Sequence, residues 1–208
     1  MSVEIMGQLP GGAAAVPALN YSRELVTQDS LARAVERGKC FATTNQGTGI
    51  VTQAGLSGTD AILALYNPMG SGVTGRLWYA GFTSKVAAAA AAVVWVAANT
   101  NTVAAEVTGT AAVVRNLKLG NGAGNNQGQV LQAFTTATLP AAPVAICTLG
   151  SLLTGAITTV PNITPLERWF NGSLLVQPGT AISFQTSTAA GAASSHGEFI
   201  WEEVALIS

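Results

Sequence analysis

The sequence predicts an all-β chain, a jelly-roll-like antiparallel β-sandwich preceded by an N-terminal arm that contains a short helix. Three observations lead there. From about Thr43 onward, short runs of Val, Ile, Leu, Thr and aromatic residues are separated by Gly, Asn, Pro and Ser clusters. Alternation of period two is clear in AISFQ, where Ile182 and Phe184 share one face and Ser183 and Gln185 the other. Charge is also distributed unevenly, with eight of the nineteen charged residues in the first forty positions. The domain reading is accordingly 1–40 for the arm and 41–208 for the sandwich.

Within the arm, YSRELVTQDSLARAVERGK reads as a helical segment with Ser30 as a possible N-cap and Gly38 as its stop. Leu31, Ala34 and Val35 share a face, and Arg33, Glu36 and Arg37 lie elsewhere around the axis. Such a helix either packs on its own domain or docks on a neighbouring subunit.

Strands are expected near 48–53, 60–67, 73–83, 91–98, 102–108, 111–119, 129–138, 143–150, 173–177, 180–187 and 197–207. Many short strands with frequent turn signals favour a sandwich, barrel or jelly roll over alternating helix and strand units. GRLWYAGF carries bulk on both faces, as expected of a strand covered on two sides. The Ala87–Ala92 tract fits less well, because alanine favours helix and disfavours strand. It reads as a turn of helix or as an edge lining a close interface.

Charged residues make up 9% of the chain, against roughly 25% in typical soluble domains. So few charges fit a subunit that hides much of its surface in an assembly. The net charge of -1 argues against nucleic acid as a partner. The longest apolar run, Val86–Ala98, is short of the 17 to 25 or so residues of a spanning helix, and no membrane role is expected. The opening MSVEIMGQLPGG lacks the pattern of a secretory signal. Cys40 and Cys147 have no CxxC spacing and are expected to be free thiols.

No catalytic, cofactor-binding or metal-ligating set can be assembled. His196 is the single histidine, with Glu198 its near neighbour, and it reads as a solvated loop residue. Glu202 and Glu203 are adjacent and point to opposite faces of a strand, so they cannot act as a carboxylate pair. The glycine-rich stretches GTGIVTQAG and GNGAGNNQG lack the context of a phosphate-binding loop. LERWFNG reads as a solvated corner with Trp169 tucked beneath it. Most aromatic residues are expected in the core, with glycan binding as the alternative for any that are exposed. The chain is therefore expected not to be an enzyme.

LYNPMGSG, VRNLKLGNGAG, TATLPAAPV, LLVQPGTAISFQTSTAAG and FIWEEV together resemble small virion structural proteins of tailed bacteriophages, over roughly residues 40–207. The resemblance implies a jelly-roll sandwich that forms a homotrimer, is made in the host cytoplasm and sits on the capsid surface. It implies a cement or head decoration protein whose partner is the major capsid protein. The arm has no matching motif, and its contact residues are a reading of charge alone: Arg23, Arg33, Glu36 and Arg37 are the candidates to meet the shell. The alternative is a tail or fibre component that binds a host-surface glycan.

Overall fold

A computed structural model describes residues 30–45, 56, 59–84, 90–100, 106–119, 129–152, 165–187 and 195–206, together with the backbone of 7–8 and 14–15. The expected strand 48–53, most of 102–108, the GNGAGNNQG stretch, Ala87–Ala89 and Arg23 lie outside the described residues.

Among the described residues the chain is an all-β sandwich of two antiparallel sheets with one short helix. A two-residue ladder joins β1 (Gly7–Gln8) to β2 (Ala14–Ala15), and α1 (Ser30–Glu36) follows. The sandwich comprises β3 (Cys40–Thr44), β4 (Asp60–Asn67), β5 (Val73–Ser84), β6 (Ala92–Asn99), β7 (Thr108–Ala111), β8 (Val114–Asn116) and β9 (Gln132–Thr138). It is completed by β10 (Val144–Leu152), β11 (Leu166–Val176), β12 (Thr180–Thr186) and β13 (Ser195–Ala205). One sheet has the order β11-β5-β13-β3-β8 and the other β10-β6-β12-β4-β9-β7. Successive strands from β3 to β6 alternate between the sheets, as do β10 to β13, so nearly every pairing joins residues distant in sequence.

Alternation places the core. On β13 the odd positions from Ser195 to Glu203 are buried and the even ones are only partly covered. Phe199 and Trp201 meet Phe184 of the opposite sheet and Phe41 of the neighbouring strand. The Phe184 and Phe199 rings stack with centroids 4.4 Å apart and an interplanar angle of 5°. A smaller cluster around Tyr66, Val107 and Leu139 covers part of the outer face of the six-stranded sheet. That explains why β4 is buried along almost its whole length.

Several expectations shift. Cys40–Thr44 is a strand, whereas the sequence reading placed its first residue at the end of the arm. Leu166–Val176 is one long strand with an irregularity between Trp169 and Leu174, where LERWFNG had suggested a corner. Asn171 and Gly172 adopt positive φ values of 51° and 76°, so the Asn-Gly pair that resembles a turn kinks a continuous strand instead. Trp169 is 53% exposed rather than tucked away. His196 is the second residue of β13, its Nδ1 donating to the Asn45 carbonyl at 3.0 Å. In the alanine tract, Ala92 opens strand β6.

The helix lies against the sandwich. Ala34 is 1% exposed, and the helix ends in two bonds, Gly38 N to the Val35 carbonyl at 2.9 Å and Lys39 N to the Ala34 carbonyl at 3.0 Å. With Gly38 at φ +66°, this is a Schellman ending, which an L side chain there would strain. Asn116 Nδ2 donates to the Gly38 carbonyl at 2.7 Å and Lys118 Nζ to the Glu36 carbonyl at 2.8 Å, tying the helix end to the segment around β8.

Cys40 and Cys147 are free thiols. Burial, reinforced by Glu202, pushes the Cys40 thiol up to about 12, and burial also raises Cys147. Since the thiolate is the reactive form, Cys40 is expected to resist a thiol reagent such as Ellman's in the native state and to react only on unfolding. The more accessible Cys147 reacts first. Mass spectrometry of partly labelled protein locates the label, and early modification of Cys40 would contradict this placement.

Candidate functional site

The five-stranded sheet turns its outer face toward the helix, and the two enclose a cleft of about 260 Å³. Its lining includes Arg33 and Arg37 from the helical segment, Arg76 and Trp78 from β5, Gly172 from β11 and Glu202 from β13. Each position follows from local structure. Arg33 and Arg37 are four residues apart and therefore lie on the same side of the helix. Arg76 and Glu202 are direct cross-strand partners in the β5–β13 ladder, so their side chains stand on one face. Between Leu77 and Tyr79 the ladder skips a residue, and the extra residue is Trp78. The bulge lets Trp78 and Tyr79 both serve the outer face while Leu77 and Ala80 remain in the core.

The electrostatics are one-sided, with three guanidinium groups against one carboxylate among the lining residues. Arg33, Arg37 and Arg76 are exposed, which keeps them hydrated and available to a partner. Trp78 is 6% exposed, and its Nε1 is buried without a hydrogen-bond partner among the described residues. Arginine presents a planar fork of donors that matches a carboxylate in two parallel bonds. The cleft is thus suited to holding an acidic side chain.

Of the four contact candidates, the structure brings Arg33 and Arg37 together. Glu36 is exposed on the helix and does not line the cleft. Sequence reasoning missed Arg76 and Glu202. The available signal was a lone arginine at the start of the otherwise apolar GRLWYAGF, a position where a charge in a strand must face outward.

Glu203, next to Glu202, points the other way and is 4% exposed. Its carboxylate accepts from Val130 N at 2.9 Å, Leu131 N at 2.9 Å and Trp201 Nε1 at 3.2 Å. It is a fastener for the segment that enters β9, set apart from the cleft by the thickness of the sheet.

Comparison with family models, with curated proteins and with solved structures finds no match for this chain.

Proposed function

We propose that this chain is a non-enzymatic virion structural protein, a homotrimeric capsid cement or decoration protein that bridges subunits of the major capsid protein. The observation that carries the reading is the arginine cleft, placed where the N-terminal segment joins the sandwich. Strand order gives further support: β3-β13-β5-β11 facing β4-β12-β6-β10 is the arrangement expected of a jelly roll, with β7, β8 and β9 as additions at the sheet edges. The low charge content favours a subunit that buries surface against copies of itself.

In this reading the arm reaches along the shell, and Arg33 and Arg37 engage acidic residues of the capsid with Arg76 behind them. Arg23 adds to that contact from the preceding segment, and Glu36 marks its outer edge. Association after shell assembly stabilises the shell by mass action.

The test is co-sedimentation with empty shells of the major capsid protein. Removing residues 1–29 leaves α1 in place, which matters because Ala34 is part of the packed structure. Arg33→Glu with Arg37→Glu changes charge at exposed positions only. Each variant is expected to weaken shell binding by at least about tenfold, in line with the loss of one or more close charge pairs. Native mass should remain at three times the 21.0 kDa chain. Full shell binding by both variants would refute the arm and cleft as the contact, and a stable monomer would refute the trimer.

A further inference from the structure

The same outer face carries a second feature that the capsid reading does not use. Trp169 on β11 and Tyr79 on β5 are directly paired, and their rings stand 5.0 Å apart between centroids at an angle of 56°. They form an open corner, and Trp169 is among the most exposed large apolar residues described. The corner is held in shape. Gly81 follows on β5, and a Cβ there would fall 2.6 Å from the Tyr79 Oη and 2.8 Å from its Cε1, so the phenol ring lies down over the glycine. Tyr79 Oη donates to Glu167 Oε2 at 3.0 Å, which fixes the other end of the ring.

Two carboxylates flank this corner at one level of the sheet. Glu167 pairs with Gly81 on one side and Glu198 pairs with Gly81 on the other. Their backbones are therefore two strand spacings, about 10 Å, apart. Burial, with Glu167 next in importance, pushes the Tyr79 phenol up to about 12, so at neutral pH it remains a donor and leaves Glu167 as an acceptor.

We propose that the Tyr79–Trp169 corner is a carbohydrate site that takes a neutral pyranose unit of a glycan. Aromatic faces match the C–H face of a sugar ring, and the flanking carboxylates accept from its hydroxyl groups. The charge pattern selects the class. Glu167 and Glu198 repel phosphate and acidic sugars, while a purely apolar protein surface would leave both carboxylates desolvated without partners. A ligand that is apolar on one face and rich in hydroxyl donors at its rim satisfies both parts. The inference stands apart from the capsid reading, since the corner and the arginine cleft use different side chains.

The experiment is saturation-transfer NMR on the full chain with lactose and cellobiose as neutral probes and sialyllactose as the acidic one. Both neutral sugars, or one of them, should show transfer with a Kd in the low millimolar range, about 4 kcal/mol of binding free energy. Trp169→Ala should weaken that binding at least tenfold, and Glu167→Gln should weaken it severalfold. Gly81→Ala, which displaces the phenol ring, should weaken it too. Melting curves verify that each variant is folded, and native mass is measured alongside. The proposal is overturned by absence of transfer to both neutral sugars, by equal binding of sialyllactose, or by unchanged binding in Trp169→Ala. A fall in native mass in Trp169→Ala without loss of sugar binding would also overturn it, since the corner would then be a contact between copies.

Discussion

Replacing Glu203 with alanine is expected to cost about 3 to 5 kcal/mol of folding stability, a large part of the roughly 5 to 15 kcal/mol that holds a domain together. The substitution leaves three N–H donors, on Val130, Leu131 and the Trp201 indole, facing a space with no acceptor. It also frees the segment entering β9, whose only described side-chain anchor on β13 is this carboxylate. Burial raises the Glu203 carboxyl above its ordinary value near 4.5, while the bonds from Leu131, Val130 and Trp201 pull it back down. The folded chain thus holds the Glu203 proton more tightly than the unfolded chain does. This contribution is fully present below the unfolded-state value and is lost as pH rises through the folded-state value. Urea denaturation should therefore show the wild type gaining stability relative to Glu203→Gln as pH is lowered from neutral toward 4. A Glu203→Ala loss under about 1 kcal/mol would show that the carboxylate is not the fastener described above, and a difference from Glu203→Gln that does not change with pH would show that burial does not outweigh the three hydrogen bonds.

What could be read in advance divides along the line between local and distant pairing. Asp60–Asn67 and Thr180–Thr186 appear within a residue of their expected bounds, because each is a dense run of strand formers closed by a turn signal. The α1 segment was legible from local signals of its own, with Ser30 and Gly38 marking its ends and Arg33, Glu36 and Arg37 away from its apolar face. Cys40–Thr44 was not, because CFATT is too short to show a period and follows directly on a helix. β11 was truncated to its last residues, since Asn-Gly is a turn signal by composition and only the ladder with β5 shows that the strand continues past it. The site divides in the same way. Half of the cleft comes from helical spacing, but the pairing of Arg76 with Glu202 spans more than half the chain, and no local pattern announces it. The Tyr79–Trp169 corner depends on the register of β5 with β11, and a bulge at Trp78 resets the outward face just before it. Aromatic residues in an apolar strand read as core until that register is known.

Gly197 poses a sharp steric demand in the core, and Gly197→Ala is expected to cost about 1 to 3 kcal/mol through overpacking. A Cβ there would lie 2.6 Å from Cδ2 and 2.7 Å from Cε2 of Phe184, which reaches across from the opposite sheet. Neither side can yield easily. The Gly197 backbone is bracketed by Asn45, which accepts from Gly197 N through Oδ1 and donates its own N–H to the Gly197 carbonyl, while Asn45 Nδ2 holds the Ser195 carbonyl at 2.9 Å. The Phe184 ring is stacked flat on Phe199 and approaches Phe82 with centroids 5.8 Å apart, so it has no vacant direction in which to turn. Phe184→Ala alone is expected to cost about 3 to 5 kcal/mol by leaving a cavity between the sheets. The two changes should offset each other, because the methyl group introduced by Gly197→Ala would enter space that the missing ring releases. In a urea-denaturation cycle the double variant should therefore be more stable than the sum of the single losses predicts by about 1 kcal/mol or more. Strict additivity would mean that the glycine and the ring do not share the contact that sets the spacing of the sheets at this point. The absence of a side chain at Gly197 is what admits a full aromatic ring between β12 and β13, and through it the flat stack that joins the two halves of the sandwich.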